Sequence, residues 1–163
     1  MKLRKLCPKD AKMMLEWMHD DTTVRYFRER FAEKTLDDCM AFIDAAQDEV
    51  HSIHLAIVDD QDEYMGTVSL KNIQDDTAEF AIVLRECARG KGYASFAVKE
   101  ILEYGYNSRG IESVYWSVDP ANLRAVRFYE KHHCPRWKVL EHVQGYTDEE
   151  KAKYKWYRIE RQS

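Results

Sequence analysis

The chain has 163 residues, 45% hydrophobic and 33% charged, the balance of an ordinary folded domain with one core. Its formal net charge of −4 argues against a general nucleic-acid coat, which needs a basic surface, and favours a cationic or neutral small acceptor. The four cysteines, Cys7, Cys39, Cys87 and Cys134, form no CxxC pair and fit neither a zinc module nor a short disulfide framework, so free thiols in a cytoplasmic protein are expected.

The basic start, MKLRKLCPKD, leads into no long apolar run, so neither a signal peptide nor a membrane span is expected. With three prolines, six glycines and no repeat, the sequence reads as one domain over residues 1–163. KLRKL is a short strand. Pro8 opens a helix through DAKMMLEWMHD, with Met14, Leu15 and Met18 at helical spacing. TVRYFRERF reads as a short helix and loop. TLDDCMAFIDAAQ is a second helix, with Thr35 placed to cap it and Asp38 three residues on. SIHLAIVD and EYMGTVSLKNI are strands joined by the turn DDQDE. TAEFAIVL is a third, with Ala78, Phe80, Ile82 and Leu84 on one face.

The strongest helix runs roughly from Tyr93 to Ser108, with Ala94, Ala97, Val98, Ile101 and Leu102 on one face. Gly105 interrupts that face at a cost of about 1 kcal/mol relative to alanine, best explained by a close approach of helix to sheet. SVYWSV is the next strand, and a helix follows from about Pro120 to His132. KVLEHV and KWYRIE read as two closing strands in a hairpin. The expected fold is α/β (α+β), a mixed central sheet with helices on both faces.

Between the third of these strands and the strongest helix lies RGKGYA, Arg89 to Ala94. A glycine-rich strand-to-helix link leaves backbone N–H groups unpaired at the positive end of the helix dipole, which suits an anion. The Walker loop's GxxxxGK followed by Ser or Thr is absent. The dinucleotide fingerprint fits poorly, because Ser95 stands where its third glycine belongs. Alone, the glycines are equally consistent with a plain tight turn.

RGKGYA also resembles the (Gln/Arg)-x-x-Gly-x-(Gly/Ala) loop of the GCN5-related N-acetyltransferases, through Arg89, Gly92 and Ala94. Downstream, DPANLRAVRFYEK resembles that family's second signature, an Asn that opens a helix carrying a Phe-Tyr pair. AEFAIVL is similar to its central splayed strand. The opening, LRKLCPKDAKMMLEWM, is similar to the branch containing ribosomal-protein and polyamine acetyltransferases. Two departures stand out. Phe96 occupies a place that is often Glu, and His132-His133-Cys134 replaces the usual Gly-Phe, which suggests a different helix exit near the acceptor pocket.

The resemblance implies an acetyl-CoA-dependent N-acetyltransferase, an acyltransferase with no metal, with the loop as the pyrophosphate seat. Arg89, Gly90, Lys91, Gly92, Tyr93 and Ala94 form that seat. Backbone groups near Ile82, Val83 and Leu84 meet the oxyanion and the pantetheine arm, and Asn122 binds that arm or simply caps its helix. Acetyl transfer to an amine must remove a proton from an ammonium of pKa near 10.4, of which about one in a thousand is neutral at pH 7. Glu79 is the candidate base, or else a carboxylate turned to solvent or to a neighbouring strand. Tyr129, which shares a helix face with Asn122, Ala125 and Val126, is the candidate acid for the departing thiolate, or else a packed core tyrosine.

Trp17, His19, Asp20, Asp21, Tyr26 and Phe27 lie in the region that lines the acceptor cleft in the family, while for any single one of them a solvated charge or hydrophobic packing is the favoured reading. Cys87 as an acetyl relay and HHC as a metal site are both disfavoured. The expected acceptor is a small-molecule amine (amino sugar, polyamine, amino acid) or a protein N-terminus, attacked directly in a ternary complex. Neither nucleic acid nor membrane is expected as a partner, and a homodimer is compatible with the reading. The alternatives are a catalytically inactive CoA-binding sensor and a nucleotide-binding regulator.

Overall fold

The computed structural model describes residues 1–163. One six-stranded sheet runs in chain order, from β1 (Lys2–Lys5) through β2 (Ile53–Val58), β3 (Tyr64–Gln74), β4 (Thr77–Leu84) and β5 (Ser113–Val118) to β6 (Lys155–Glu160). Every neighbouring pair is antiparallel except β4 and β5. That parallel pair needs a crossover, which α4 (Tyr93–Arg109) supplies.

Alternation along the strands sends side chains to two faces. On one face, Ala78 and Phe80 of β4 and Val114, Trp116 and Val118 of β5 meet Ala97 and Ile101 of α4 and Val126 and Tyr129 of α5 (Leu123–Lys131). Gly105 lies at the closest approach there: a Cβ on it would come within 2.6 Å of Leu70 Cδ1, so the cost of a helical glycine is offset by contact with β3.

The other face carries two separate cores. Under β1 to β3, α1 (Ala11–Met18) and α3 (Leu36–Ala45) bury Met14, Trp17, Met18, Cys39 and Ile43 against Ala56, Val58 and Tyr64. Thr35 caps α3 in a reciprocal box with Asp38, as the spacing predicts. Under β5 and β6, Val143, Tyr146 and Trp156 form a small aromatic core. Between these two cores lies the outer half of β4.

The order of elements departs from expectation at two places. A four-residue helix, α2 (Asp21–Val24), follows α1 directly and is capped by Asp20. The closing hairpin does not form. Lys138 to Val143 joins no ladder, and Leu140 is left 82% exposed while Val143 is buried. The segment instead folds down onto Trp156, and a single bridge, Arg136 to Tyr157, joins this stretch to β6. It ends in α6 (Asp148–Lys153), capped by a Thr147–Glu150 box.

Candidate active site

β4 and β5 stay together for three pairs only, Thr77↔Ser113, Ala78↔Val114 and Glu79↔Tyr115. Beyond Glu79, β4 remains with β3 as far as Leu84, and β5 remains with β6 as far as Val118. The sheet therefore opens as a V in its middle. Ile82 and Leu84 are half-buried, although they lie on a central strand.

The direction of the free backbone groups follows from register. Arg85 N–H donates to Met65 O at 2.8 Å, in step with the pair Gly66↔Leu84. In an antiparallel ladder such bonded pairs alternate, so Val83 and Ala81 direct their N–H groups to β3. Ile82 and Leu84 direct theirs into the V. Of the three residues singled out there, the cleft thus receives backbone donors from Ile82 and Leu84, and Val83 is turned away.

The mouth of the V is the loop before α4. Gly90 and Gly92 have φ of +73° and +88°, left-handed values that favour glycine. Gly92 caps α4 with no side-chain hydrogen bond, which leaves the first-turn N–H groups of Tyr93, Ala94 and Ser95 without a capping partner. Lys91 is exposed beside them. Arg89 turns across to the first helices, where Nη2 donates to Thr23 Oγ1 at 2.6 Å. Thr23 Oγ1 in turn donates to Asp20 Oδ2 at 2.9 Å.

On the α5 side, Asn122 Oδ1 accepts from Ala125 N–H at 3.3 Å, the capping role. Tyr129 is 7% exposed and its ring lies 5.3 Å from that of Trp116, one residue past the last β4–β5 pair. Burial raises the Tyr129 pKa, and so do the nearby Cys134 and Tyr157, with no hydrogen bond contributing. The phenol is protonated at neutral pH. Its neighbour Trp116 buries an indole N–H with no partner in the chain.

On the opposite face, Glu79 is 4% exposed. Its Oε1 accepts from Asn72 Nδ2 at 2.9 Å and its Oε2 from the Tyr146 hydroxyl at 2.7 Å. Asn72 is aimed by a local irregularity: it sits at φ +51° where the β3–β4 register shifts after Lys71. No lysine, arginine or histidine forms an ion pair with Glu79, although Lys71 is its register partner on β3. Tyr146 also shares a hydrogen bond of 2.9 Å with Ser117 Oγ, and the Arg28 guanidinium lies 3.9 Å above its ring. Arg28 donates to Glu150 Oε2 and Gly145 O, at 2.8 and 2.6 Å, joining the loop after α2 to the C-terminal segment over this face.

Most of the residues singled out between the first helices are engaged within the fold. Trp17 is buried and donates to the Tyr64 hydroxyl at 2.9 Å, Phe27 stacks edgewise on Phe31, Asp21 pairs with Arg25, and His19 bonds Lys34 O. Tyr26 is half-buried. Asp20 is held by Thr22 and Thr23 and faces the glycine loop through Arg89. Tyr146, Asn72, Ser117 and Arg28, which build the surroundings of Glu79, carry no sequence signature.

Cys87 lies exposed on a short turn, Glu86–Ala88. The HHC stretch is a helix exit. His133 N–H donates to Glu130 O and Cys134 N–H to Tyr129 O, at 3.1 and 3.0 Å, with His133 at φ +55°. His132 bridges Phe128 O and Ser95 Oγ, at 2.8 and 2.9 Å, so the exit is tied to the start of α4. No three His, Cys, Asp or Glu side chains cluster as metal ligands.

The sequence model described as "Acetyltransferase (GNAT) domain" matches residues 1–134. The chain belongs to this family, the GCN5-related N-acetyltransferases, and is an N-acetyltransferase, an acyltransferase. Spermidine N(1)-acetyltransferase of Escherichia coli is 28% identical over 134 residues, 80% of this chain and 70% of that one. The N-acetyltransferase YnaD of Bacillus subtilis is 27% identical over 124 residues, 76% of this chain and 72% of the relative. Among solved structures, the Vibrio cholerae spermidine N-acetyltransferase in complex with CoA and spermine superposes with a TM-score of 0.76 at 21% identity, covering 96% and 92% of the two chains. A GNAT-family acetyltransferase from Bacillus anthracis gives 0.75 at 20% identity, with 97% and 93% covered. These likenesses show the fold. No helix is long and apolar enough to cross a membrane.

Proposed function

We propose that this enzyme transfers the acetyl group of acetyl-CoA to a primary amine by direct attack in a ternary complex. Acetyl-CoA supplies a thioester carbonyl open to attack. The chain offers unpaired donors along the whole path such a cosubstrate would take. These are the uncapped N–H groups of Tyr93 to Ser95, the inward N–H groups of Ile82 and Leu84, and the Asn122 amide nitrogen. The orphaned Trp116 N–H lies beside Tyr129. Orphaned buried donors are rare in folded proteins and fit a site built for a ligand.

The single observation that carries the reading is Glu79. A carboxylate 4% exposed, with neutral donors and no cation on its oxygens, is costly to bury. It stands at the last pair before the strands part, where an acceptor ammonium would complete its charge balance. Glu79 takes the amine proton on one face of the sheet. Ile82 and Leu84 donate to the developing oxyanion, and Tyr129 donates a proton to the departing sulfur from the other face.

The acceptor is a small-molecule amine (amino sugar, polyamine or amino acid) or a protein N-terminus. The spermidine acetyltransferase of E. coli makes a polyamine the first to test. Thiol release from acetyl-CoA, followed against spermidine, spermine, glucosamine, lysine and a short peptide with a free N-terminus, is expected to show turnover with at least one. CoA binding without turnover on any of them would overturn the enzymatic reading in favour of a CoA-binding module.

A further inference from the structure

Tyr146 lies in the C-terminal segment beyond the residues that the family model covers, 1–134, and reaches Glu79 across 67 residues of sequence. Its hydroxyl has two partners. A carboxylate only accepts, so Tyr146 donates to Glu79 Oε2, at 2.7 Å. Its oxygen is then left to accept from Ser117 Oγ, at 2.9 Å. The direction of the chain is fixed: Ser117 donates to Tyr146, and Tyr146 to Glu79. Donors in series polarise one another, and the low dielectric of a buried site strengthens each bond.

The ring of Tyr146 is held as firmly as its hydroxyl. It is 8% exposed, packs edgewise on Trp156 at 4.7 Å and carries the Arg28 guanidinium at 3.9 Å on one face. Burial raises the Tyr146 pKa, and so does the Glu79 charge, so the phenol remains a donor throughout the working range. A tyrosine that needed only to fill this space would not require its hydroxyl to end on a buried carboxylate.

We propose that Tyr146 is a positioning residue that fixes the Glu79 carboxylate at the parting of β4 and β5 and, with Ser117 behind it, sets how readily that carboxylate takes a proton. The inference rests on the reading of Glu79 as the proton acceptor. The other groups facing Glu79 are Asn72 and Lys71 from β3 and Tyr115 from β5. Arg28 stands behind Tyr146, and Arg158 stands near Tyr115. Of these groups, Tyr146 and Asn72 alone touch the carboxylate oxygens.

The test is Tyr146→Phe, which removes the donor and keeps the ring. Hydrogen bonds to a charged group are worth enough to change kcat with the best amine of the panel by about tenfold, with KM for acetyl-CoA unchanged. Loss of a donor to the carboxylate disfavours its ionised form. The acid limb of the pH–rate profile therefore moves to higher pH, by about one unit. A second readout needs no acceptor: the Glu79 carboxyl carbon, observed by NMR in protein labelled with ¹³C-glutamate, titrates at higher pH in Y146F than in the parent. Ser117→Ala moves both readouts in the same direction by less, and carries the test alone if Y146F does not fold.

Coincident titration curves in the parent and the folded variant overturn the inference. Glu79→Gln separates it from the reading beneath it. If E79Q retains parental turnover, Glu79 is not the proton acceptor and that reading fails. If E79Q is inactive while Y146F keeps the parental titration and profile, Glu79 keeps its role and Tyr146 loses the one assigned here.

Discussion

The two ends of the cleft are built by different means. The glycine loop is backbone: residues at φ +73° and +88°, and a helix end with no side-chain cap. The end around Glu79, proposed to receive the acceptor, is made of side chains drawn from β3, β4, β5 and the C-terminal segment. A backbone site is a local matter and is written in a few consecutive residues. A side-chain site assembled across a sheet depends on register, and a one-residue slip on β3 or β5 would turn its members to the other face. Substitutions should therefore separate the two ends. On the backbone end, the shape and charge of the replacement matter. On the side-chain end, a single missing polar atom is enough.

The largest effect in such a comparison is expected at Tyr129, where neither end is touched. Tyr129→Phe removes the hydroxyl proposed to protonate the departing sulfur and should lower kcat by roughly a hundredfold, leaving CoA affinity within about twofold. Thiol release and calorimetric titration with CoA check the two halves. Because the Tyr129 hydroxyl has no hydrogen-bonding partner in the chain, its loss leaves no protein group unsatisfied, and stability should hold. Parental turnover in Y129F would remove the tyrosine from the chemistry.

Next comes the loop. Gly92→Asp places a negative charge where Tyr93, Ala94 and Ser95 present their N–H groups and should weaken CoA binding by roughly thirtyfold. Gly92→Ala is the control. Its Cβ would have only the Met1 methyl within 4 Å, at 3.7 Å, so it adds backbone strain of about 1–2 kcal/mol and little else. If both variants bind CoA as the parent does, the phosphate assignment falls. If both weaken it equally, conformation rather than charge is what the loop supplies.

Glu79 has a half-buried ionisable counterpart on the same face. His54 on β2 is bonded to Ser69 at 2.6 Å and lies 4.7 Å from the Phe42 ring, and burial, helped by Lys71, lowers its pKa from 6.5 to about 4. The folded state holds the ring neutral while the unfolded chain takes up a proton below about pH 6.5. Stability is complete above that pH and is lost as pH falls toward 4. Allowing for the part of the ring that water reaches, the loss is about 1–2 kcal/mol. His54→Gln should flatten the dependence of urea midpoints between pH 6.5 and 4 and leave acetyl transfer unchanged. His54 thus marks what burial alone does on this face, and Glu79 what burial does at the parting of the strands.

These contrasts also explain how far the sequence could be read. The cradle, the α5 signature, the Thr35 cap and the close approach at Gly105 are each carried by a few residues at fixed spacing, and each has its place in the structure. Glu79 is legible as a charge in an apolar strand. Its partners are not, because Asn72 depends on a shift of register and Tyr146 lies in the connection between the two expected closing strands. The helix α6 does carry a sequence signal, the capping box of Thr147 and Glu150, within the stretch expected to connect a hairpin. Trp17 and Phe27 lie in a stretch that the resemblance places near the acceptor, and their packing against Tyr64 and Phe31 in the α1–α3 core is the reading that each residue by itself favours.

The smallest effect is expected at the exit of α5, which joins the backbone end. His133 holds φ +55° at the residue after the cap, closing a Schellman turn through its own N–H and that of Cys134. A side chain in this conformation is strained, and glycine removes the strain at the cost of a more flexible unfolded chain. His133→Gly should raise stability by about 1 kcal/mol, a shift of roughly 2–4 °C in Tm for a chain of this size, with acetyl transfer unaltered. The neighbouring His132 is a different case. Its ring joins Phe128 O to Ser95 Oγ, so His132→Ala loosens α5 from the first turn of α4, where the cradle's donors lie. If H132A weakens CoA binding while H133G does not, the link from α5 to the loop is a side-chain device. The phosphate end is then backbone in its contacts but side chain in its support.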